Sequence, residues 1–389
     1  MKYILPTVIL SMLISCGNGP TRTETVSDAE TFYERYDLQT AHGLVIDAFK
    51  DADIVILGEH HFIAEHVIFV ADIIPQLYNN GINTLYSEFI GLDDAHLVDS
   101  LINGETFDEQ LAKNLLVLNL YDWPYEEYME LYRSAWKLNR SINEGPKFKI
   151  IGLDLGNDHS AIQKPEDWND PERRMAFFRE GEDAWSKRIL NGTVANGEKA
   201  LVYCGYNHAL TYYRQPVSRD GKLVRLAGKE RMGQHLYEEL GDRCSFLFFH
   251  IPWENRNGDY PPSVAPLGGT LDMLIDSLPD KEKAYGFYTR ESELGSIVDT
   301  SIHFSLGHPS FTLKDLCDGY LVVKPVCELN WCDFIPDFID EDNIEMARPQ
   351  IRAWKNIHNI SIDSANVLIK NEYDEQLYLF EKSKEKMGC

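Results

Sequence analysis

Short apolar runs that stop at a polar residue recur along this chain and predict the strands of a buried sheet. The first run, residues 54–57, is β-branched, lacks a helical period and stops at Gly58. Similar runs follow at residues 83–89, 148–154, 199–204, 245–250 and 319–323. Short apolar runs of this kind are typical of strands in the interior of a sheet.

Helical patterns separate these runs. After the first run, apolar residues recur at the spacing of one helical face, at Val67, Val70, Ile74 and Leu77. That pattern ends before Gly81, a good helix stop. We also expect helices at 31–50, around 345–356 and at 371–387. The alternation predicts an α/β fold, with a mostly parallel sheet flanked by helices.

The amino-terminal residues are set apart by composition. Lys2 precedes an apolar segment at residues 4–14, and Leu-Ile-Ser-Cys16 matches the bacterial lipobox. An apolar segment this short is typical of a signal peptide and too short for a membrane span. We therefore expect lipidation at Cys16, export, and anchoring of the protein to the bacterial cell envelope through its lipid. A cytoplasmic protein with an accidental start is the alternative.

These features give the expected organisation of the chain. Residues 1–15 would be the lipoprotein signal peptide, and residues 16–30, rich in small and polar residues, a flexible lipidated tether. Residues 31–389 would form a single α/β domain. Insertions are expected near 93–145, which we predict to be helical, and near 209–262.

Charge and cysteine content narrow the possible partners. The formal net charge of −25 argues against binding to nucleic acid or to anionic lipid surfaces. The cysteines other than Cys16 form no CxxC pair, so no zinc ribbon is indicated. Cys327 and Cys332 could be bridged in an oxidising compartment. Cys204 and Cys244 lie in apolar runs and are predicted to be core thiols.

Titratable residues follow four of the predicted strands. Glu59 and His61 follow the first, and Glu88, Asp154 and His208 lie at the ends of the next three. In open α/β sheets, ligands bind outside the carboxyl ends of the strands, so these side chains are expected to meet there. Two strands joined by a helix form a right-handed βαβ unit, which would make Glu59 and Glu88 neighbours at that edge.

Such a cluster could act in two ways. His61, Glu88 and His208 could bind a divalent metal that lowers the pKa of bound water. Alternatively, a histidine poised by a carboxylate could remove a proton from water directly. Both lead to hydrolysis, with His61, His208, Glu59 and Glu88 as the catalytic candidates. The chain has no G-x-S-x-G elbow, no P-loop and no G-x-G-x-x-G after a strand.

Further residues are candidates for substrate binding, each with a structural alternative. Asp154 could bind substrate or only cap the next segment, and Arg174 could bind an anion or form a surface salt bridge. Tyr212 and Trp253 follow the fourth and fifth runs, where they could form the rim of a pocket. His66 falls one turn into the first helix and could be a ligand or a core histidine.

Several motifs resemble a known superfamily, the one that joins erythromycin esterases, ChaN-type haem-uptake lipoproteins and Tiki/TraB proteins. Gly58-Glu-His-His61, followed by His66 and then Glu88, resembles its opening. Gly58-x-x-His61 and Gly205-x-x-His208 resemble the paired G-x-x-H motifs of the Tiki/TraB branch. The spacing from Glu59 through His61 to His66 is similar to that of ChaN-type proteins.

Other motifs resemble the esterase branch, namely Arg-Arg174-Met before the fourth strand and Asp318-Gly-Tyr320 at the last one. The resemblance implies a mostly parallel sheet with the site at the strand ends. It also implies three activities: metal-free esterase chemistry, metal-dependent peptidase chemistry, or haem binding. We therefore expect a lipid-anchored hydrolase of a small-molecule or peptide substrate. A haem- or metal-binding uptake lipoprotein is the alternative.

Overall fold

The computed structural model describes residues 35–219, 221–278 and 283–389. The predicted signal peptide, Cys16 and the tether lie outside the described residues, as does the start of the helix expected at 31–50. The strands are β1 (Gln39–Thr40), β2 (Ile54–Glu59), β3 (Thr84–Gly91), β4 (Lys149–Asp154), β5 (Ala200–Gly205), β6 (Pro216–Arg219), β7 (Lys222–Leu226), β8 (Cys244–Phe249), β9 (Tyr285–Tyr288) and β10 (Gly319–Val322).

Eight of these strands form one sheet in the order β1-β9-β10-β8-β2-β5-β3-β4. Neighbours from β10 to β4 are parallel, and β9 pairs antiparallel with both β1 and β10. The predicted α/β class and the mostly parallel sheet are therefore confirmed. All six predicted runs are strands, whereas the short strands β1 and β9 and the separate β6–β7 hairpin were not predicted.

Strand β5 lies between β2 and β3 and pairs with both. Glu59 and Glu88, predicted to be neighbours at this edge of the sheet, therefore lie on strands that β5 separates. Helix-linked strands of a parallel sheet need not be adjacent, because a later strand can insert between them. The consequence for the site is that Gly205, at the end of β5, lies between the ends of the strands that carry Glu59 and Glu88.

Helices cover both faces of the sheet. They are α1 (Ala41–Ala48), α2 (Ala64–Asn79), α3 (Ala95–Asn103), α4 (Glu109–Asn119), α5 (Glu127–Ser141), α6 (Pro171–Phe178), α7 (Glu182–Gly192), α8 (Tyr206–Ala209), α9 (Met232–Leu240), α10 (Thr270–Ser277), α11 (Leu313–Leu316), α12 (Ile344–Lys355) and α13 (Ile362–Met387). Within the described part of the chain, none is long and apolar enough to cross a membrane.

The two-residue period of β2 divides its side chains between two cores. Val55 and Leu57 pack into the core that α1 to α5, α12 and α13 cover, whereas Ile54 and Ile56 face the other core. Glu59 continues the first of these two series. Its side chain therefore points towards the face of the sheet that α5 covers. A carboxylate thus follows the apolar side chains of Val55 and Leu57 on that face.

Several predicted helices have different bounds in the structure. The helix expected at 31–50 is represented by the shorter α1, which β1 precedes, and α13 begins at Ile362 instead of near residue 371. The region 93–145 is helical as predicted, in α3, α4 and α5. The region 209–262 contains the β6–β7 hairpin and α9 as well as β8.

The disulfide bond in the structure differs from the Cys327–Cys332 bond that the sequence allowed. Cys327 is bonded to Cys389, at the end of α13, and Cys332 is a buried free thiol, so a Cys327–Cys332 bridge is wrong. Cys204 and Cys244 are buried free thiols, as predicted. The bond ties the end of the last helix to the segment that follows β10.

Candidate active site

Glu59 is a fully buried carboxylate at the end of β2, and its exposed fraction is 0 %. Its Oε1 accepts hydrogen bonds from the Tyr128 hydroxyl at 2.6 Å and from His61 Nδ1 at 2.8 Å. The Tyr203 hydroxyl donates to Oε2. Tyr128 comes from α5 and Tyr203 from β5, on the same face of the sheet. A buried charge is stable only when it is paired and hydrogen-bonded, and these three donors meet that need.

His61 is held in one orientation by these contacts. The edges of its ring meet Phe89 and Trp123, with centroids 5.7 Å and 5.5 Å apart. Burial lowers the pKa of His61, but the hydrogen bond with Glu59 and the charges of Glu88 and Glu59 raise it more, and the net shift is upwards. Because Nδ1 donates to Glu59, Nε2 is left as the proton acceptor.

Gly205 lies where the ends of three strands come together. Its N–H donates to Glu88 Oε2 at 2.7 Å. A Cβ added at Gly205 would lie 2.7 Å from His61 Cε1, 2.9 Å from His61 Nε2 and 3.4 Å from Glu88 Oε2. The missing side chain therefore allows the imidazole and the second carboxylate to approach the same point of the backbone.

His208 lies between two carboxylates. Its Nε2 is 3.3 Å from Glu88 Oε1, and its Nδ1 is 2.9 Å from Glu182 Oε1. Glu182, at the start of α7, also contacts Arg231 Nη1 at 3.0 Å and accepts the Met232 N–H at 2.7 Å. Both ring nitrogens of His208 therefore lie within ion-pair distance of a carboxylate oxygen.

The electrostatics of this pair follow from its geometry. Burial lowers the pKa of His208, but the charge of Glu88 and the contact with Glu182 raise it further, to about 10. Burial raises the pKa of Glu88, but the charge of His208 outweighs this effect and brings it to about 2. At neutral pH, His208 is therefore a cation and Glu88 an anion.

A cavity of about 220 Å³ opens at this point. Glu59, His61, Gly205 and His208 line it, as does Gln376 of α13. Of the four predicted catalytic residues, Glu59, His61 and His208 thus share one cavity. Glu88 lies directly behind it, in contact with His208 and Gly205.

The predicted substrate-binding residues divide into two groups. Trp253 lines a second cavity of about 250 Å³, which shares His60, Tyr206, Asn207 and Tyr260 with the first. Asp154 lies close to Glu88, and burial together with that charge raises its pKa to about 6, although it does not line the first cavity.

Arg174 and Tyr212 lie outside the cluster. Arg174 is exposed on α6, away from both cavities, and the predicted salt bridge is not formed with any described residue. The Tyr212 hydroxyl donates to the Lys314 carbonyl at 3.2 Å, and its ring lines a separate surface pocket. The structure therefore does not bring Arg174 or Tyr212 to the predicted site.

The side chains do not present a ready set of metal ligands. His208 has both nitrogens against carboxylates, and His61 Nδ1 is bonded to Glu59, which leaves only His61 Nε2 uncommitted. Among the described residues, no group of three or more His, Cys, Asp or Glu side chains could hold a metal ion. The predicted ligands His61, Glu88 and His208 therefore do not fit a divalent ion in this arrangement.

Three contributors to the site were not predicted in their roles. Tyr128 and Tyr203 bind the Glu59 carboxylate, and Glu182 binds His208. Tyr203 lies one residue before the end of the strand predicted at 199–204, so its face could have been inferred from the strand period. Tyr128 and Glu182 are placed by helix packing, which leaves no local signal. His66 is a fully buried core residue that stacks on Phe249 at 4.5 Å.

Comparison with known families supports the resemblance seen in the sequence. Residues 45–156 match the family model described as haem-binding uptake, Tiki superfamily, ChaN. This segment contains Glu59, His61 and Glu88. The resemblance to the superfamily is therefore confirmed. Among curated proteins, none matches the chain.

Solved structures with a similar fold include an erythromycin esterase. A variant of the esterase EreC in its open conformation has a TM-score of 0.50 at 14 % identity, over 75 % of this chain and 95 % of that chain. A Bacillus cereus protein has a TM-score of 0.45 at 12 % identity, over 78 % and 98 %. ChaN of Campylobacter jejuni has a TM-score of 0.35 at 13 % identity, over 54 % and 85 %. At these identities, the likeness to the esterase concerns the fold.

Proposed function

We propose that this protein is an exported, lipid-anchored hydrolase that activates water at His61. Its substrate would be either a small-molecule ester or a peptide. The observation that carries the proposal is the Glu59–His61 hydrogen bond of 2.8 Å, which leaves Nε2 free beside a cavity. A histidine oriented by a buried carboxylate is the arrangement that general-base catalysis requires.

The reaction needs one base that later acts as an acid. His61 Nε2 would take a proton from water while the water oxygen bonds to the carbonyl carbon of the substrate. Glu59 stabilises the imidazolium that forms, because its carboxylate stays hydrogen-bonded to Nδ1. When the bond to the leaving group breaks, His61 returns the proton to the departing oxygen of an ester or the departing nitrogen of a peptide, which restores the neutral ring.

His208 and Glu88 serve a different role in this scheme. Because His208 is a cation whose nitrogens face Glu88 and Glu182, it has no free nitrogen with which to activate water. Of the two histidines considered as the base, the geometry therefore favours His61. The Glu88–His208–Glu182 series instead joins the ends of β3 and β5, since Glu88 also accepts the Gly205 N–H. The charge of Glu88 raises the pKa of His61, and the charge of His208 opposes this effect.

The proposal is tested by the hydrolysis of 4-nitrophenyl acetate by the purified protein, with and without EDTA. We expect the same rate of turnover with and without EDTA, because the scheme needs no metal ion. The proton of water is taken by His61 Nε2, the one ring nitrogen of His61 and His208 that has no carboxylate partner. Loss of turnover in EDTA, with recovery on addition of zinc, would contradict the metal-free scheme.

A second candidate function is haem binding, which the family description favours. Tyr260 is 58 % exposed and lies beside His60 on a patch that is lined mainly by Pro252, Pro261, Pro262, Trp331, Leu379 and Phe380. An exposed phenol beside apolar side chains fits a haem that lies on the surface. When bound, haem would supply an iron centre, and Tyr260 would hold it through its hydroxyl oxygen.

Titration with haemin tests this second candidate. A Soret band that shifts on binding, and that is lost in Tyr260→Phe, would support it. Tyr378→Phe is the matched control, because Tyr378 is 61 % exposed on α13 and lies outside the patch. Spectra identical to those of free haemin would rule the candidate out.

A further inference from the structure

The candidate active cavity continues into a second chamber. The two cavities, of about 220 and 250 Å³, share His60, Tyr206, Asn207 and Tyr260. If the reacting bond of a substrate lies at His61, another part of the same molecule can therefore lie in the second cavity. What lines that cavity determines which chemical group it accepts.

The second cavity contains a carboxylate with no partner. Glu254 lines it, and among the described residues its carboxylate forms no hydrogen bond or ion pair. The backbone of Glu254 is fixed, because its carbonyl accepts the His303 N–H at 2.9 Å. Glu254 is therefore held by its backbone at the wall of the cavity, and its carboxylate remains available to a ligand.

Aromatic rings line the same cavity as this carboxylate. Tyr206, Trp253, Tyr260 and Phe304 line the same cavity. The ring of Phe304 lies 5.3 Å from that of Trp253 and 6.0 Å from that of Tyr206, measured between centroids. Burial raises the pKa of both Tyr206 and Tyr260, and the charge of Glu254 adds to this, which agrees with its closeness to both rings.

Among the described residues that line the cavity, the basic side chains are the two histidines His60 and His303, and none is a lysine or arginine. Burial lowers the pKa of His60 to about 4, so this ring is neutral at pH 7. Arg231 lies behind the wall, bonded to Gln215, and is neutralised by Glu182.

We propose that Glu254 and the rings of Tyr206, Tyr260 and Phe304 form a subsite for a cationic amine of the substrate. A carboxylate attracts an ammonium group by its charge, and aromatic faces attract it by cation–π interaction. Where the hydrolase proposal holds, the substrate class is an ester that carries a protonated or quaternary amine at one end. The subsite itself does not depend on hydrolysis.

Binding tests the subsite with two probes of the same shape. Choline carries a quaternary ammonium, and 3,3-dimethyl-1-butanol is its uncharged isostere. By calorimetry, we expect the full-length protein to bind choline about tenfold more tightly than the alcohol. Glu254→Gln should abolish the preference, and Glu341→Gln, which removes an exposed carboxylate elsewhere, should keep it. Equal affinities for the two probes in the wild type would overturn the subsite.

Hydrolysis of acetylcholine and 3,3-dimethylbutyl acetate separates the two proposals. We expect kcat/KM to be about tenfold higher for the cationic ester, through a lower KM, and the ratio to approach one in Glu254→Gln. Equal turnover of both esters would refute the subsite and leave the hydrolase standing. Selective choline binding without turnover of either ester would support the subsite and refute the hydrolase.

Discussion

Glu59 controls the proton affinity of His61, because its buried carboxylate is hydrogen-bonded to Nδ1. The pKa of His61 is raised, so the acid limb of the pH–rate profile should have its midpoint above the ordinary value of about 6.5. In Glu59→Gln the charge is lost, and the limb should move to lower pH. We also expect kcat/KM to fall about a hundredfold at its optimum, because the imidazolium loses its counter-charge.

The measurement is kcat/KM for 4-nitrophenyl acetate between pH 5 and 9. Glu105→Gln serves as the control, because it removes an exposed carboxylate away from the cavity. A profile in Glu59→Gln with the wild-type midpoint would show that Glu59 does not act on His61.

His208 should make stability depend on pH. Its pKa is about 10 in the folded protein and 6.5 in its ordinary state, so its contribution is complete below pH 6.5 and is lost as the pH rises through 10. Glu88, with a pKa of about 2 against 4.5, contributes above pH 4.5 and loses this contribution as the pH falls towards 2. His208→Gln should lower the free energy of unfolding by about 3 kcal/mol at pH 6.

Urea unfolding at pH 6, 8 and 10 checks this prediction. The decline in stability from pH 6 to 10 should be smaller in His208→Gln than in the wild type. His358→Gln, at an exposed position, should retain the wild-type decline. An unchanged decline in His208→Gln would mean that another group accounts for it.

The residues of the site were only partly predictable from sequence. Glu59, His61, Glu88 and His208 could be found because they follow apolar strands, and the ends of parallel strands meet at one edge of a sheet. Glu182 could not be found, because α7 reaches His208 through packing between distant segments. The exposed position of Arg174 also depends on packing, which the local sequence does not encode.

At the scale of elements, helix α13 contributes a residue to the lining of the candidate cavity, and a disulfide bond fixes a residue just beyond its carboxyl end. Gln376 lines the cavity, the Ser383 hydroxyl donates to the Pro262 carbonyl, and Cys389 is bonded to Cys327, 62 residues away. A crosslink that closes a loop of this length stabilises a protein by up to about 4 kcal/mol. Cys389→Ser should therefore lower the free energy of unfolding by up to about 4 kcal/mol.

Urea unfolding with and without a phosphine reductant measures this effect. The wild type should lose stability in reductant, down to the level of Cys389→Ser, whose stability should not respond. Equal stability of the two proteins without reductant would show that the bond contributes nothing.

The order of the strands illustrates what the pattern of the sequence could and could not predict. The six apolar runs were predictable as strands, because a short apolar segment whose residues lack helical spacing is typical of a strand. The insertion of β5 between β2 and β3 was not predictable, because adjacency depends on contacts far apart in sequence. Strands β1 and β9, at one side of the sheet, are too short, at two and four residues, to produce a pattern.

At the scale of the whole molecule, the chain combines a net charge of −25 with an amino-terminal lipobox. We propose that it is exported and anchored to the cell envelope by a lipid on Cys16. Removing the acyl chains should release it from membranes, because each buried methylene contributes about 0.8 kcal/mol to membrane binding. Cys16→Ala should therefore move from the membrane fraction to the soluble fraction, whereas Cys389→Ser should stay. Equal partitioning of Cys16→Ala and the wild type would contradict anchoring at this residue.

The central claim is that His61 activates water in the cavity where the strand ends meet. The most direct test is the rate of 4-nitrophenyl acetate hydrolysis by His61→Gln, with urea unfolding as the check on its fold and His358→Gln as the control. We predict that kcat/KM falls about a thousandfold while the unfolding curve stays close to that of the wild type. Wild-type turnover in a folded His61→Gln protein would contradict the account.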